Sequence, residues 1–398
     1  MRVPAGLRGP HGKMHVMSNA AAVPDKLLPL PLAGDGRREG TRSVAIWLLV
    51  CCALVFALIV VGGVTRLTHS GLSIVEWQPI VGTLPPLSAG DWQEVFAKYQ
   101  QTPEYRQVNH AMTLAEFKGI FWWEYAHRLL GRAIGVAFLV PLLVFAARRR
   151  IPSGYGKALA GIFLLGGLQG AMGWYMVQSG LVDDPHVSQF RLTAHLGIAL
   201  LIFAAMFWIA LSLMFPERAD VSSLSRRGVR RFASAIAALV FVMALSGGFV
   251  AGTRAGFAYN TFPLMNGSVV PSEILMLEPW WKNFFWNMAT VQFDHRLIAW
   301  VLATLVPLLW WKVRTGDALP SRARNGATVL LAFLALQIAL GISTLLLVVP
   351  VPLAAAHQAG AVLVFAAALN LAHALQLREM PRQRIIEGSD SANRAHSP

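Results

Sequence analysis

The sequence has few charged residues and almost no cysteine. Only 14% of its 398 residues are charged, whereas a soluble domain usually carries about 25%. Its two cysteines, Cys51 and Cys52, are adjacent in the middle of an apolar run, where they cannot form a useful bridge. The chain therefore lacks the cysteines that a disulfide between loops outside the membrane would need.

Long apolar runs take the place of charge. A helix that spans a membrane needs roughly 20 mostly apolar residues, and eight runs meet this requirement. Inside lipid every backbone amide must find a partner within its own segment, so these runs must be helices. The sequence therefore predicts an all-α membrane protein with eight transmembrane helices. The predicted spans are 45–64, 124–147, 158–177, 192–215, 232–251, 293–311, 327–349 and 353–374.

Basic residues give the net charge of +14, and they cluster in alternate connections and in both terminal segments. The positive-inside rule places such segments on the cytoplasmic side of a bacterial inner membrane. The pattern predicts cytoplasmic tails at 1–43, which is expected to be disordered and without a cleavable signal, and at 377–398. It also predicts a cytoplasmic linker at 216–231 and two long connections outside. This distribution favours contact with lipid and argues against nucleic-acid binding.

Two copies of one four-helix unit are visible in the sequence. The second predicted helix opens with EYAHRLLGR around His127, and the sixth with QFDHRLIAW around His295. The third contains LQGAMG and the seventh LQIALG, with Gln169 and Gln337 at matching places. Repeats in the same order predict two duplicated four-helix bundles, at 44–215 and 232–376.

Four histidines occupy matching places in these halves: His127 and His195 in the first, His295 and His357 in the second. An ionisable side chain within a membrane helix is costly and usually functional. Each half supplies two imidazoles, which suits a haem, since its macrocycle leaves two axial positions on the iron. Zinc or copper is the competing interpretation, but structural zinc sites use about four ligands.

Arginines accompany the histidines on the same side of the membrane. Arg128 and Arg296 each follow a helix histidine, and Arg66 and Arg254 follow the first helix of each half. A guanidinium binds carboxylate bidentately. The four arginines are therefore candidates for binding haem propionates.

The halves differ at one chemically important position. Glu124 precedes His127 by one helical turn, and the matching residue of the second half is Gln292. A carboxylate beside a bound substrate can act as a base or an electrostatic stabiliser, whereas an amide cannot take a proton. The difference predicts that the first half reacts and the second only holds a cofactor. Gln292 also suggests that an amide is tolerated at this place.

Together, EYAHRLLGR, the segment GGVTRLTHSGLSIVEWQPIVGTLPP and the duplicated four-helix unit resemble the haem A synthase family. The resemblance covers residues 43–376, and the absence of loop cysteines is similar to the mitochondrial and alphaproteobacterial branch. It implies oxidation of the C8 methyl group of haem O to a formyl group, through successive hydroxylations, to give haem A for terminal oxidases.

The resemblance also implies roles for individual residues. His295 and His357 match the iron ligands of a haem b cofactor, with Arg296 and Arg254 beside them. His127 and His195 match the pair that holds the substrate haem, with Arg128 and Arg66 beside them. Glu124 matches the family's essential glutamate.

Two other functions remain open from the sequence. A two-haem cytochrome b that only transfers electrons would share the histidine pairs but would not need the Glu124 and Gln292 difference. A transporter would place its polar site near the middle of the membrane. The electron acceptor is not identified, and an enzyme that farnesylates haem to give haem O is a possible partner.

Overall fold

A computed structural model describes the chain in five stretches, and α-helices account for most of the described residues. No strand occurs among them; the one β-bridge joins Met265 to Ser268. The tail at 377–398 and most of the tail at 1–43 lie outside the described residues, and so does part of the linker at 216–231. The described stretches are 35–78, 81–182, 184–216, 224–316 and 319–376.

Eight of the helices are long and apolar enough to cross a membrane, which confirms the predicted membrane fold. Three short helices lie in the connections between them. In chain order the helices are α1 (Asp35–Leu67), α2 (Ala89–Tyr99), α3 (Pro103–Gln107), α4 (Leu114–Ala147), α5 (Gly156–Gln178), α6 (Gln189–Met214), α7 (Leu224–Gly252), α8 (Asn283–Trp286), α9 (Met288–Thr315), α10 (Ser321–Leu346) and α11 (Val351–Ala374).

All eight spanning helices begin before the predicted residue, and α1 and α4 do so by the most, ten residues each. α1 starts at Asp35, so the last part of the segment 1–43 is helical and not disordered. α4 starts at Leu114 and not at residue 124, because Thr113 and Glu116 form a capping box there. With 34 residues, α4 is about 50 Å long and exceeds the roughly 30 Å apolar core of a bilayer. Its first turns therefore project from the membrane.

The same pairs of helices are in contact in each half. α1 packs against α4 and α6, and α5 packs against α6. Correspondingly, α7 packs against α9 and α11, and α10 against α11. Between the halves, α1 contacts α11, and α6 contacts both α7 and α11. The first and last helix of each half thus form the centre of the molecule, and α4 and α5 lie at its perimeter.

The two long connections differ in structure. The first loop (residues 68–113) contains α2 and α3, and Ser88 and Asp91 form a capping box at the start of α2. Its aromatic side chains Trp92 and Tyr99 pack with Phe117 and Phe121 of α4, so this loop has a small core of its own. The second loop (residues 253–287) is mostly irregular. It exposes large apolar side chains, including Val269, Met276 and Trp280.

Candidate functional site

Each of the four predicted ligand histidines lies against a glycine of a neighbouring helix. A Cβ at Gly62 would lie 2.8 Å from His127 Nε2, and one at Gly247 would lie 3.4 Å from His295 Cε1. On the other side of each half, a Cβ at Gly173 would lie 3.0 Å from His195 Cε1. One at Gly341 would lie 2.8 Å from His357 Cε1. These contacts are at or below the usual limit for a Cβ. The glycines therefore let the imidazole rings lie close against the adjacent helix.

The histidines are brought together in pairs within each half. His195 is near enough to His127 to interact with it electrostatically, and His357 is likewise near enough to His295. All four rings are only half-buried, so each keeps an accessible edge. The structure therefore places one pair of imidazoles in each half, in the pairing that the sequence predicts.

The matching glutamines fix the helix that carries the second histidine of each pair. Gln169 Nε2 donates to the His195 carbonyl at 3.0 Å, and Gln337 Nε2 donates to the His357 carbonyl at 2.9 Å. Within the described residues, the buried Nδ1 atoms of His195 and His357 have no hydrogen-bond partner. Each ring therefore keeps one nitrogen without a partner, and His195 Nε2 also lies 3.4 Å from Gln169 Nε2.

These donors fit a haem better than a bare metal ion. Among the described residues, no three His, Cys, Asp or Glu side chains come together as a zinc or copper site requires. A haem needs only two axial donors, and neutral imidazole supplies them well. Each half has two such donors on facing helices and glycines that leave room beside them.

Ser246 distinguishes the two halves at the first histidine. Its Oγ lies 3.1 Å from His295 Nδ1, which leaves Nε2 of that ring for a metal. Such a hydrogen bond fixes the ring orientation of a ligating histidine. Aligning the segments from Gly62 and Gly247 without gaps places Val61 opposite Ser246. The corresponding valine side chain offers His127 no hydrogen bond.

Glu124 is buried, with 3% of its surface exposed, and all the groups that face its carboxylate donate hydrogen bonds. Ser73 Oγ and the Ile74 N–H donate to Oε2 at 2.7 and 2.8 Å. Arg128 donates to Oε1 through Nε at 3.0 Å and Nη2 at 2.6 Å. The carboxylate therefore joins α4 to the first loop as a firmly held anion.

Gln292 also joins α9 to the second loop, but it donates a hydrogen bond to its loop, whereas Glu124 accepts hydrogen bonds. Its Nε2 donates to the Ala255 carbonyl at 2.9 Å, and its Oε1 accepts from Arg296 at 3.4 Å. The loop thus offers an acceptor to Gln292 but donors to Glu124. The contacts at the two positions differ, so tolerance of an amide at position 124 stays a prediction.

The arginines that follow the helix histidines bind loop carbonyls. Arg128 donates to the carbonyls of Ile74 and Glu76. Arg296 donates to those of Tyr259 and Thr261 at 2.9 Å each, and to that of Leu264 at 3.4 Å. Each arginine thus fastens a loop over the histidine pair of its own half.

Arg66 and Arg254 lie where the halves meet, but they are not equivalent residues. Thr68 and Thr253 make the same hydrogen bond to the carbonyl four residues before. The next residues, His69 and Arg254, both have positive φ, 53° and 59°. His69 is therefore the counterpart of Arg254, and sequence analysis missed it. Alignment without gaps from the paired glycines would have found it.

Arg66 reaches across to the other half. Its Nη1 donates to the Ala251 carbonyl of α7 at 2.7 Å, and the charge of Arg254 acts on it. Partial burial of the His69 ring lowers its pKa, and the positive charges of Arg254 and Arg66 lower it further. A basic group therefore lies between the two halves at the side of the membrane that carries the long loops.

The sequence is similar to those of known proteins. The family model COX15-CtaA, described as cytochrome oxidase assembly protein, matches residues 45–369. A "Heme A synthase" of Nitrosospira multiformis is 63% identical over 87% of this chain and 97% of that protein. Proteins of the same name from Nitrosomonas eutropha and Parvibaculum lavamentivorans are 58% and 48% identical. They match over 84% and 88% of this chain, and over 94% and 99% of their own lengths.

Proposed function

The chain belongs to the COX15-CtaA family, and we propose that it is a haem A synthase, which oxidises the C8 methyl group of haem O to a formyl group. One observation carries the proposal: the structure holds a matched pair of imidazoles in each half, with a carboxylate beside only one pair. A plain electron-transfer cytochrome needs two such pairs but has no need for this asymmetry.

The halves divide the work between substrate and cofactor. His127 and His195 of the N-terminal half hold the substrate haem, and His295 and His357 of the C-terminal half hold haem b. The hydrogen bond between His295 Nδ1 and Ser246 Oγ supports this division. A histidine that binds a metal through Nε2 donates its Nδ1–H, and a ligand fixed in this way suits a resident cofactor. Haem b, which His295 and His357 would hold, would supply electron-accepting chemistry. The acceptor beyond it is not identified.

The protein's own residues fasten the first loop to the helix that carries His127. Glu124 and Arg128 together bind the first loop at Ser73, Ile74 and Glu76. This fastening covers the substrate pair with ordered protein and fixes the helix that carries His127. Glu124 is the residue that we assign to the reaction. Its anionic charge stabilises positive charge that develops at the substrate.

The propionate candidates separate into two groups. Arg128 and Arg296 use most of their N–H groups to hold the loops. Arg66 and Arg254 lie between the halves, and among the described residues no carboxylate forms an ion pair with either. Arg66 and Arg254 are therefore the stronger candidates for binding propionates, and Arg128 and Arg296 act mainly on the loops.

The protein is a multi-pass membrane protein, and we place it in the inner membrane with both termini in the cytoplasm. The alternation of basic connections supports this orientation. Reporter fusions at Gln100 and Asn266 should then give periplasmic signals, and one at Ser223 a cytoplasmic signal. A cytoplasmic signal at Gln100 would contradict the orientation.

Expression in cells that make haem O but no haem A tests the function itself. Haem extracted from the membranes should contain the formyl derivative, identified by mass. An enzyme that farnesylates haem is the expected source of the substrate in such cells. Extracts that contain only haem b and unchanged haem O would favour the two-haem cytochrome.

A further inference from the structure

Two consecutive glycines of α1, Gly62 and Gly63, contact different halves of the molecule. Gly62 lies against His127 of its own half. Gly63 lies against Gln358 of α11, since a Cβ at Gly63 would lie 2.7 Å from Gln358 Cδ and 2.8 Å from its Nε2. Gln358 directly follows His357 in the chain. One turn of α1 therefore touches the first histidine of the N-terminal half and the residue beside the second histidine of the C-terminal half.

Gln358 also forms a hydrogen bond across the boundary between the halves. Its Nε2 donates to the Ile59 carbonyl of α1 at 2.6 Å. Ile59 is buried and lies one helical turn before Gly63. Polar side chains join helices in this way inside membrane proteins. The α1 turn that packs against His127 is therefore bonded to the α11 turn that carries His357.

The α11 turn that begins at His357 is held from two sides. Gln337 of α10 donates to the His357 carbonyl at 2.9 Å, and its Oε1 lies against Gly360, where a Cβ would overlap it. Gln358 holds the same turn against α1. Because the residues of one helical turn move together, a shift of His357 also moves the amide that contacts α1.

The matching position of the N-terminal half carries an apolar side chain. Aligning the second histidines of the two halves without gaps places Leu196 opposite Gln358. The corresponding contact between the halves is the packing of Thr193 of α6 on Gly248 of α7, where a Cβ would lie 2.9 Å from Thr193 Oγ1. That hydroxyl has no hydrogen-bond partner within the described part of the chain. Of these two contacts, only that of Gln358 is therefore a hydrogen bond.

We propose that Gln358 is a positioning residue that couples the two histidine pairs, so that a haem bound by one pair strengthens binding of a haem by the other. The inference rests on the proposed function. A haem held by His357 would fix the α11 turn and, through Gln358, the α1 turn beside His127. The second haem then meets a histidine that is already ordered, so its binding costs less conformational entropy. Such coupling is reciprocal, and each haem should strengthen binding of the other by the same factor.

Release of haem b from the purified full-length protein, with and without added haem O, tests the coupling. Haem b that passes to apomyoglobin is identified by mass, under conditions in which haem O is recovered unchanged. In the wild type, bound haem O should slow this release by about tenfold, within the usual range for two coupled sites. Gln358→Met keeps the length of the side chain but loses the hydrogen bond. In this variant haem b content should stay normal, and bound haem O should leave the release rate unchanged.

Gln337→Met is the matched control, because Gln337 also binds α11 but does so from within its own half. It should speed haem b release with and without haem O alike, and so keep the tenfold effect. Gly63→Ala tests the contact from the side of α1, since the added methyl group would overlap the Gln358 amide. It should abolish the effect of haem O. Combining it with Gln358→Met should cause no further loss, because both changes remove the same contact.

Two results would overturn the coupling without touching the proposed function. One is a wild-type protein that binds haem O, as shown by mass analysis of the recovered protein, but releases haem b at an unchanged rate. The other is a Gln358→Met protein in which haem O still slows the release tenfold. A wild-type protein that binds no haem O would instead contradict the proposed function, and the coupling with it.

Discussion

The two halves of this protein hold their histidines in the same way but close over them differently. Gly62 and Gly247 make room for the first imidazole of each pair, and Gly173 and Gly341 for the second. Beside the first histidine pair, the first loop donates a hydrogen bond to the Glu124 carboxylate. Beside the second pair, the second loop offers the Ala255 carbonyl to Gln292. The two halves thus share the packing of their paired histidines, while the polarity of one contact differs.

The loops extend this contrast. The first loop folds into helices with a small aromatic core and a buried carboxyl group, Glu104. The second loop is irregular and exposes apolar side chains such as Val269 and Trp280. Aromatic and apolar residues of this kind favour the membrane–water interface. Exposed apolar side chains also occur in the first loop, at Leu84 and Leu87. The loops therefore differ by the helices, the aromatic core and the buried carboxyl group of the first.

Replacing the histidines should reveal the largest functional difference between the two halves. His295→Ala or His357→Ala should abolish retention of haem b through purification, because the iron loses an axial ligand. His127→Ala should keep the haem b spectrum and content but stop formation of haem A. Absorption spectra and haem content of the purified variants provide the measurement. Normal haem b content in both His295→Ala and His357→Ala would contradict the cofactor assignment.

Replacing the Glu124 carboxylate by an amide tests the contact between α4 and the first loop, which differs from its counterpart in the second half. Glu124→Gln should lower haem A formation by about 10²-fold or more, because it removes a charge that stabilises the reacting substrate, and leave haem b content unchanged. It should also loosen the first loop, because an amide N–H₂ would face Arg128 or the Ile74 N–H; an unmatched buried polar group costs about 1–3 kcal/mol. Limited proteolysis between residues 68 and 113 would detect this change.

The reciprocal variant is the matched control. Gln292→Glu should loosen the second loop, since a carboxylate would face the Ala255 carbonyl, but it should not impair the first loop. Glu124→Gln with normal haem A formation would mean that the carboxylate only fastens the loop.

Ser246 offers a smaller and more selective test. Ser246→Ala removes the hydrogen bond to His295 and should weaken haem b retention by about tenfold, the lower end of the range for such partners. Val61→Ser introduces a hydroxyl at the matching place and should slow release of haem from the N-terminal half. Haem transfer to apomyoglobin measures both rates. Equal retention in Ser246→Ala and the wild type would remove this explanation for a resident cofactor.

Much of the fold could be predicted because its rules are local. Apolar runs of the required length indicated all eight spanning helices, and repeated motifs paired the four histidines within their halves. The early start of α4 depends on a capping box between Thr113 and Glu116, which lies outside the apolar run. Hydropathy alone therefore placed its beginning at residue 124.

The missing features of the site depend on contacts between segments that are distant in sequence. Nothing near Glu124 in the chain shows that Ser73 and Ile74 would face it with donors. Gln358 likewise reaches the Ile59 carbonyl, 299 residues earlier in the chain. The correspondence of His69 with Arg254, in contrast, was available from an alignment without gaps.

Haem analysis of one double variant tests the division between the halves most directly. The variant His127→Ala/His195→Ala would be purified from cells that make haem O, together with the wild type, and its extracted haems identified by mass. We expect one equivalent of haem b in both proteins, and haem O or haem A only in the wild type. Loss of haem b from the double variant, or haem A still formed by it, would contradict the account.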